Sequence, residues 1–108
     1  MPSIVPTINV HTLEQWLKVG DALLIDVREE HEFKERSIPG ATLVPLSLFN
    51  SAIIPQQPDK KIIFQCRSGH RSERACFIFQ QNNPDVKAYN LEGGILAWAA
   101  AGLPTNNS

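Results

Sequence analysis

Two short stretches of the chain are almost continuously apolar. Residues 22–27 have the sequence ALLIDV and residues 61–65 the sequence KIIFQ. Runs of this length without polar alternation are typical of strands that helices cover on both faces. Shorter strand candidates are residues 8–10, 42–44 and 86–89. The pattern therefore predicts parallel strands, with the two longest in the interior of a sheet.

Segments with helical spacing of apolar residues lie between these runs. We predict helices over residues 11–19, 29–36, 72–81 and 94–101, most of which are followed closely by glycine, asparagine or proline. Strands and helices alternate, which indicates one α/β domain over residues 1–108 with a single open sheet and right-handed crossovers. In such sheets ligands bind beyond the carboxyl ends of the strands. Cys66 follows directly after one of these ends.

Composition narrows the classes of function. The chain has 108 residues, of which 43% are hydrophobic and 19% charged, and a net charge of -1. This composition is typical of a globular protein and argues against a nucleic-acid surface. No stretch approaches the ~20 apolar residues of a membrane helix, and the first residues do not resemble a secretory signal. We expect a cytoplasmic protein with no membrane or nucleic-acid partner.

The loop at residues 66–72, with the sequence CRSGHRS, carries the candidate chemistry. A free cysteine has a pKa near ~8.5, which a helix N-terminus and nearby cations can lower to roughly 3.5–7.5. The helix predicted from Ser72 and the charges of Arg67 and Arg71 provide both causes. We therefore predict that Cys66 is a thiolate nucleophile in an anion-binding loop. The alternative is a buried packing cysteine, but a core cysteine does not need so polar a loop.

The second cysteine and the histidines suggest no further site. Cys76 lies on a predicted helix among apolar residues, which favours a packing role over that of a resolving thiol for Cys66. The chain has no Cys-x-x-Cys pair, and His11, His31 and His70 lack metal-ligand spacing. We expect neither a metal nor another cofactor.

The sequence resembles the rhodanese family of sulfurtransferases over nearly its whole length. Four stretches carry the resemblance: residues 24–29 (LIDVRE) with Glu32 and Phe33, residues 38–41 (IPGA) with Pro45, the loop at 66–72, and residues 90–95 (NLEGGI) with Trp98 and residues 102–104 (GLP). One departure is Arg36-Ser37, where the family often has Gly-His. We therefore assign no catalytic role to that position.

The resemblance implies an open five-stranded parallel sheet with helices on both faces. It also implies a double displacement through a Cys66 persulfide. Cys66 would take sulfane sulfur from thiosulfate or a similar small anion, and a thiophilic acceptor would then remove it. Cyanide is such an acceptor in vitro, and a thiol or a sulfur-relay protein are further candidates.

Cations beside Cys66 have candidate roles in this reaction. Arg67 and His70 can face the incoming anion, with simple solvent exposure as the alternative for each. Arg71 ends the loop and is expected to brace it by a bidentate contact with Asp26 or Glu29.

The remaining loop residues are expected to act through their backbone. Ser68, Gly69 and Ser72 would supply amide groups, with Gly69 in a left-handed conformation and Ser72 as the helix cap. Asp26 and Arg28 either form a salt bridge at the strand end or contact substrate. With Glu29 they are counted as candidates for bracing the loop.

Two other functions stay open. Cysteine-dependent phosphatases and arsenate reductases of similar fold place arginine after Cys and five intervening residues, where this chain has Ser72. The span from Cys66 through Arg71 is six residues, one fewer than in those enzymes. A non-catalytic rhodanese-like interaction module is the other alternative, although such modules often lack the cysteine.

Overall fold

A five-stranded parallel sheet forms the centre of the computed structural model, which describes residues 5–48, 54 and 59–107. In chain order the strands are β1 (Thr7–Ile8), β2 (Ala22–Asp26), β3 (Arg36–Ser37), β4 (Thr42–Leu43), β5 (Lys61–Gln65), β6 (Ala88–Leu91) and β7 (Asn106–Asn107). The strand order in the five-stranded sheet is β1-β6-β5-β2-β4, and β3 and β7 form a separate antiparallel pair.

Helices cover both faces of this sheet. They are α1 (Val10–Lys18), α2 (Glu30–Glu35), α3 (His70–Asn82) and α4 (Gly94–Ala100), with a 3-10 turn at Leu46–Leu48. The five-stranded parallel sheet with flanking helices that the sequence led us to expect is therefore confirmed. Within the described residues, no helix combines the length and apolar character that a membrane span requires.

The central strands are buried on both sides because their side chains alternate between two cores. Ile62 and Phe64 of β5 pack on the side of α3, whose Phe79 ring centroid lies 5.5 Å from that of Phe64. Ile63 between them points to the opposite core, formed with α1 and α4 and containing Trp98. This arrangement explains the continuous apolar runs in the sequence.

Several element boundaries differ from those predicted. The first strand ends at Ile8 because the Asn9 side chain accepts a hydrogen bond from the Thr12 amide at 2.9 Å and caps α1. The second helix ends at Glu35, since Arg36 is extended and pairs with Asn107. The pairing of β3 with β7 was not predicted, because two-residue strands carry no detectable periodicity.

The strand register gathers several polar residues at one edge of the sheet. Asp26 of β2 lies opposite Gln65 of β5, and Phe64 lies opposite Asn90 of β6. Cys66 leaves the sheet at this edge, where α3 and α4 also begin. The candidate site is therefore built at the carboxyl ends of the strands.

Candidate active site

Cys66 is the first residue after β5, and its side chain lies inside the loop that leads into α3. The residue is 1% exposed. Its Sγ accepts a hydrogen bond from the Gly69 amide at 3.1 Å and lies 3.3 Å from the Ser72 hydroxyl. The amides of Ser68 and Ser72 are also directed at the sulfur. The predicted cradle of backbone donors is thus present around Cys66.

Opposing effects set the pKa of Cys66. Burial is the largest of them and raises the pKa, because it removes water from the charged form. Hydrogen bonds from the Ser72 hydroxyl and from the amides of Ser72, Gly69 and Ser68 lower the pKa and together outweigh burial. The pKa of Cys66 therefore lies below its ordinary value, which increases the thiolate fraction at neutral pH.

Helix α3 begins at His70 rather than at Ser72, so our prediction that Ser72 caps the helix is wrong. Gly69 is the N-cap, and its φ of 104° confirms the expected left-handed conformation. This conformation turns the chain directly into the helix and places Ser72 within the first turn. The buried Ser72 side chain is thereby directed at Cys66, which gives it a side-chain role that the sequence did not reveal.

The start of α4 supports the loop from behind. The Ile95 amide donates to the Cys66 carbonyl at 2.9 Å, and the Leu96 amide donates to the Arg67 carbonyl at 3.1 Å. A trans peptide directs its N–H opposite to its C=O, so these contacts turn the following amides away from α4. Gly94 permits the close approach, because a Cβ there would lie 2.3 Å from the Cys66 carbonyl oxygen.

Asn90 connects β6 to the loop, a role that sequence reasoning missed. Its Nδ2 donates to the Gly69 carbonyl at 3.1 Å, and its Oδ1 accepts from the Ser72 hydroxyl. Asn90 is buried, and a buried amide needs such partners. The available signal was a polar residue beside the glycine pair 93–94 at the end of a predicted strand.

Arg71 is paired with Glu32, and our prediction of Asp26 or Glu29 as its partner is wrong. Its two terminal nitrogens donate to the Glu32 carboxylate oxygens at 2.8 and 2.9 Å. The bidentate geometry is the predicted one, but it joins α3 to α2. Asp26 is already bound by Arg28, and the Glu29 carboxylate accepts from the Ser47 hydroxyl.

Asp26, Arg28 and Glu29 do not brace the loop by hydrogen bonds in the part of the chain that the structure describes. Arg28 instead forms a buried salt bridge with Asp26 at 2.7 Å and donates to the Arg36 carbonyl at 2.6 Å. The pair thus fastens the end of β2 to β3. This geometry fits the structural alternative that the sequence left open for Asp26 and Arg28.

The Glu32 to Arg71 pair makes stability depend on pH. The hydrogen bonds from Arg71 lower the pKa of Glu32 from 4.5 to about 2, although partial burial opposes them. Its stabilisation is complete above the unfolded-state pKa and is lost as the pH falls from about 5 towards 2. At pH 7 we expect the wild type to have a higher urea midpoint of unfolding than Glu32→Gln. The difference between the two midpoints should close as the pH falls from about 5 towards 2. A gap independent of pH would contradict this assignment.

Arg67 and His70 are exposed at the rim of the loop. His70 Nδ1 lies 3.1 Å from the Ser68 hydroxyl. Arg67 borders an open cleft of about 470 Å³ that the loop shares with α2 and α4. The predicted contact of both side chains with a substrate anion stays a prediction.

Cys76 and Trp98 are core residues. Cys76 is fully buried in the core, and burial, with a smaller contribution from Glu73, raises its pKa to about 12. It is therefore a protonated thiol at neutral pH, in agreement with the predicted packing role. Trp98 is also buried and donates to the Pro104 carbonyl at 2.7 Å.

Among the residues described, no group of three or more His, Cys, Asp or Glu could hold a metal.

Comparison with known proteins identifies the class to which this fold and cysteine loop belong. The family model of the rhodanese-like domain matches residues 9–101. The chain therefore belongs to the rhodanese-like family.

Individual relatives agree with this assignment. A protein of Allochromatium vinosum named sulfurtransferase is 38% identical over 103 residues, which cover 94% of each chain. An uncharacterized Synechocystis protein is 40% identical over 100 residues, covering 92% of this chain but 55% of the relative. The chain thus spans about half of that relative and nearly all of the first. The crystal structure of a rhodanese-related protein from Thermoplasma volcanium has a TM-score of 0.81 at 29% identity, covering 94% of this chain and 97% of the other.

Proposed function

We propose that the protein is a sulfurtransferase that carries sulfane sulfur on Cys66. The observation that supports this most directly is the Cys66 Sγ, held at a strand end within a ring of N–H donors that favour its thiolate. A low-pKa thiolate is the form of cysteine that attacks sulfur. The sulfurtransferase name of the Allochromatium relative supports the same chemistry.

In the first half-reaction the Cys66 thiolate attacks the outer sulfur of thiosulfate or a similar donor. An S–S bond forms to Cys66, the S–S bond within thiosulfate breaks, and sulfite leaves with the electron pair. The negative charge now lies on the outer sulfur of the persulfide. Loop amides can stabilise that charge as they stabilise the thiolate. We propose that Arg67 and His70, which are both exposed, contact the anionic donor.

In the second half-reaction a thiophilic acceptor attacks the outer sulfur. The bond to Sγ breaks, its electron pair returns to Cys66, and the thiolate is restored. Cyanide leaves as thiocyanate, whereas a thiol leaves as a persulfide.

Two free cysteines suit a reducing compartment such as the cytoplasm, which we propose as the location.

Intact-mass measurement after incubation with thiosulfate tests this function. We expect the wild type to gain one sulfur atom and to lose it on addition of cyanide, with release of thiocyanate. Cys66→Ala should gain none, because it lacks the nucleophile. Cys76→Ala is the matched control and should gain sulfur like the wild type. Absence of uptake in the wild type would leave the non-catalytic module as the better explanation, and equal uptake by Cys66→Ala would exclude Cys66 as the sulfur carrier.

A phosphatase assay separates the second enzymatic alternative. The position where the phosphatase pattern has arginine is the buried Ser72, and the Arg71 guanidinium is directed to Glu32. The Arg71 guanidinium is therefore bound to Glu32 and is not free to bind a phosphate at the sulfur. We expect p-nitrophenyl phosphate to be left intact under conditions in which thiosulfate and cyanide give thiocyanate. Hydrolysis that Cys66→Ala abolishes would contradict this expectation.

A further inference from the structure

The Ser72 hydroxyl lies between two acceptors in the buried part of the site. Its Oγ lies 3.3 Å from Cys66 Sγ and forms a short hydrogen bond with Asn90 Oδ1. All three residues are at most 4% exposed. Water therefore has little access to supply a missing donor or acceptor.

The direction of these hydrogen bonds follows from the chemistry of the groups. The Gly69 carbonyl can only accept, so the Asn90 group that faces it at 3.1 Å is the Nδ2 donor. Asn90 Oδ1 therefore faces Ser72, and because Oδ1 cannot donate, the hydroxyl must be the donor. A hydroxyl has one proton and two lone pairs. While Ser72 donates to Asn90, it presents a lone pair to the sulfur.

We propose that Asn90 is a positioning residue for the Ser72 hydroxyl. Asn90 Oδ1 accepts the hydrogen bond from this hydroxyl when the Cys66 Sγ is neutral, and the hydroxyl donates to Sγ instead when Sγ is charged. This inference rests on the proposed sulfur transfer. In the neutral thiol, the S–H can donate to Ser72 while Ser72 donates to Asn90. In the thiolate, the hydroxyl turns and donates to the sulfur.

The persulfide cycle uses both orientations. Once sulfur is bound, Sγ has two covalent bonds and no charge, so the Ser72 hydroxyl turns back and donates to Asn90 Oδ1. When the acceptor removes the outer sulfur, the electron pair of the broken bond returns to Sγ, and Ser72 turns to stabilise it. The proton stays covalently bonded to Ser72 Oγ throughout, so the rotation of the hydroxyl requires no proton exchange with solvent.

A double-mutant cycle on the free thiol tests the proposal. The Cys66 pKa is measured from the pH dependence of its alkylation by iodoacetamide, quantified on the Cys66 peptide, in wild type, Ser72→Ala, Asn90→Leu and the double variant. Without Asn90, the hydroxyl can donate to the thiolate without competition. We expect Ser72→Ala to raise the pKa by roughly one unit more in the Asn90→Leu background than in the wild type. Equal increments in the two backgrounds would overturn the proposal.

Asn90→Asp separates this role from simple bracing of the loop. It keeps an oxygen that faces Ser72, so the effect of Ser72→Ala should stay close to its wild-type size. A bracing role alone would make the Asp and Leu backgrounds behave alike, and that result would also overturn the proposal. If Asn90→Leu does not fold, Asn90→Ala takes its place in the cycle.

The other charges around the cysteine are unchanged by Ser72→Ala, Asn90→Leu and Asn90→Ala. They are Arg67 and His70 on the loop, Arg71 of α3 with Glu32 of α2, and Asp26 of β2 with Arg28. The cycle concerns the free thiol and needs no sulfur donor. Its failure is thus distinguishable from failure of the proposed function, which the wild-type mass measurement decides.

Discussion

A methyl group at position 94 is expected to displace the Cys66 loop and to destabilise the protein by roughly 2–4 kcal/mol. In Gly94→Ala the new Cβ would lie 2.3 Å from the Cys66 carbonyl oxygen and 2.5 Å from that of Arg67. Both atoms are backbone, so neither a side-chain rotation nor a small adjustment removes the overlap. Urea unfolding gives the stability, and iodoacetamide alkylation gives the accompanying rise in the Cys66 pKa.

Gly102→Ala provides the matched control for this prediction. Gly102 has a φ of 78°, in the same left-handed region as the 56° of Gly94, but a Cβ there meets no atom within 4 Å. Both variants therefore carry the conformational cost of alanine, and only Gly94→Ala adds the overlap. Equal losses of stability, or an unchanged Cys66 pKa in Gly94→Ala, would contradict the proposed support of the loop by α4.

Loss of the Arg28 guanidinium is expected to cost about 3–5 kcal/mol of unfolding free energy. Arg28→Met leaves the Asp26 carboxylate, which is 0% exposed, without its cation. It also removes the donor to the Arg36 carbonyl at 2.6 Å, where β3 begins. Urea or thermal unfolding of the purified variant measures the loss.

The double variant Asp26→Asn with Arg28→Met tests whether the unpaired charge causes this loss. It removes both charges and keeps an acceptor for the Arg28 backbone amide, which donates to Asp26 at 2.9 Å. We expect it to be more stable than Arg28→Met alone. If Arg28→Met instead has the stability of the wild type but takes up no sulfur, contact of Arg28 with substrate becomes the better explanation.

The sequence was sufficient to predict the sheet and the place of Cys66 in it. The apolar run at 61–65 matches β5 residue for residue, since a strand buried on both faces leaves a pattern with few alternatives. The cysteine loop follows it directly, and Gly69 has the left-handed conformation that we expected. These features depend on neighbours in the chain, which the sequence shows.

The partners of individual side chains could not be predicted in the same way. We expected Arg71 to bind Asp26 or Glu29, and its pairing with Glu32 depends on how α2 packs and on Arg28 already binding Asp26. Asn90 is separated from Ser72 by 18 positions, and its contact depends on the register of β6 beside β5. The β3 to β7 pairing joins even more distant segments. Such contacts are set by tertiary packing, so they leave no local sequence pattern.

The support of the loop by α4 also bears on when the surroundings of Cys66 form during synthesis. Translation proceeds from the N-terminus, so Cys66 is made before Ile95 and Leu96, whose amides bind the Cys66 and Arg67 carbonyls. Before those residues exist, the loop lacks the two hydrogen bonds that α4 provides. We therefore expect the Cys66 pKa to reach its lowered value only when the C-terminal part of the domain has folded onto the loop.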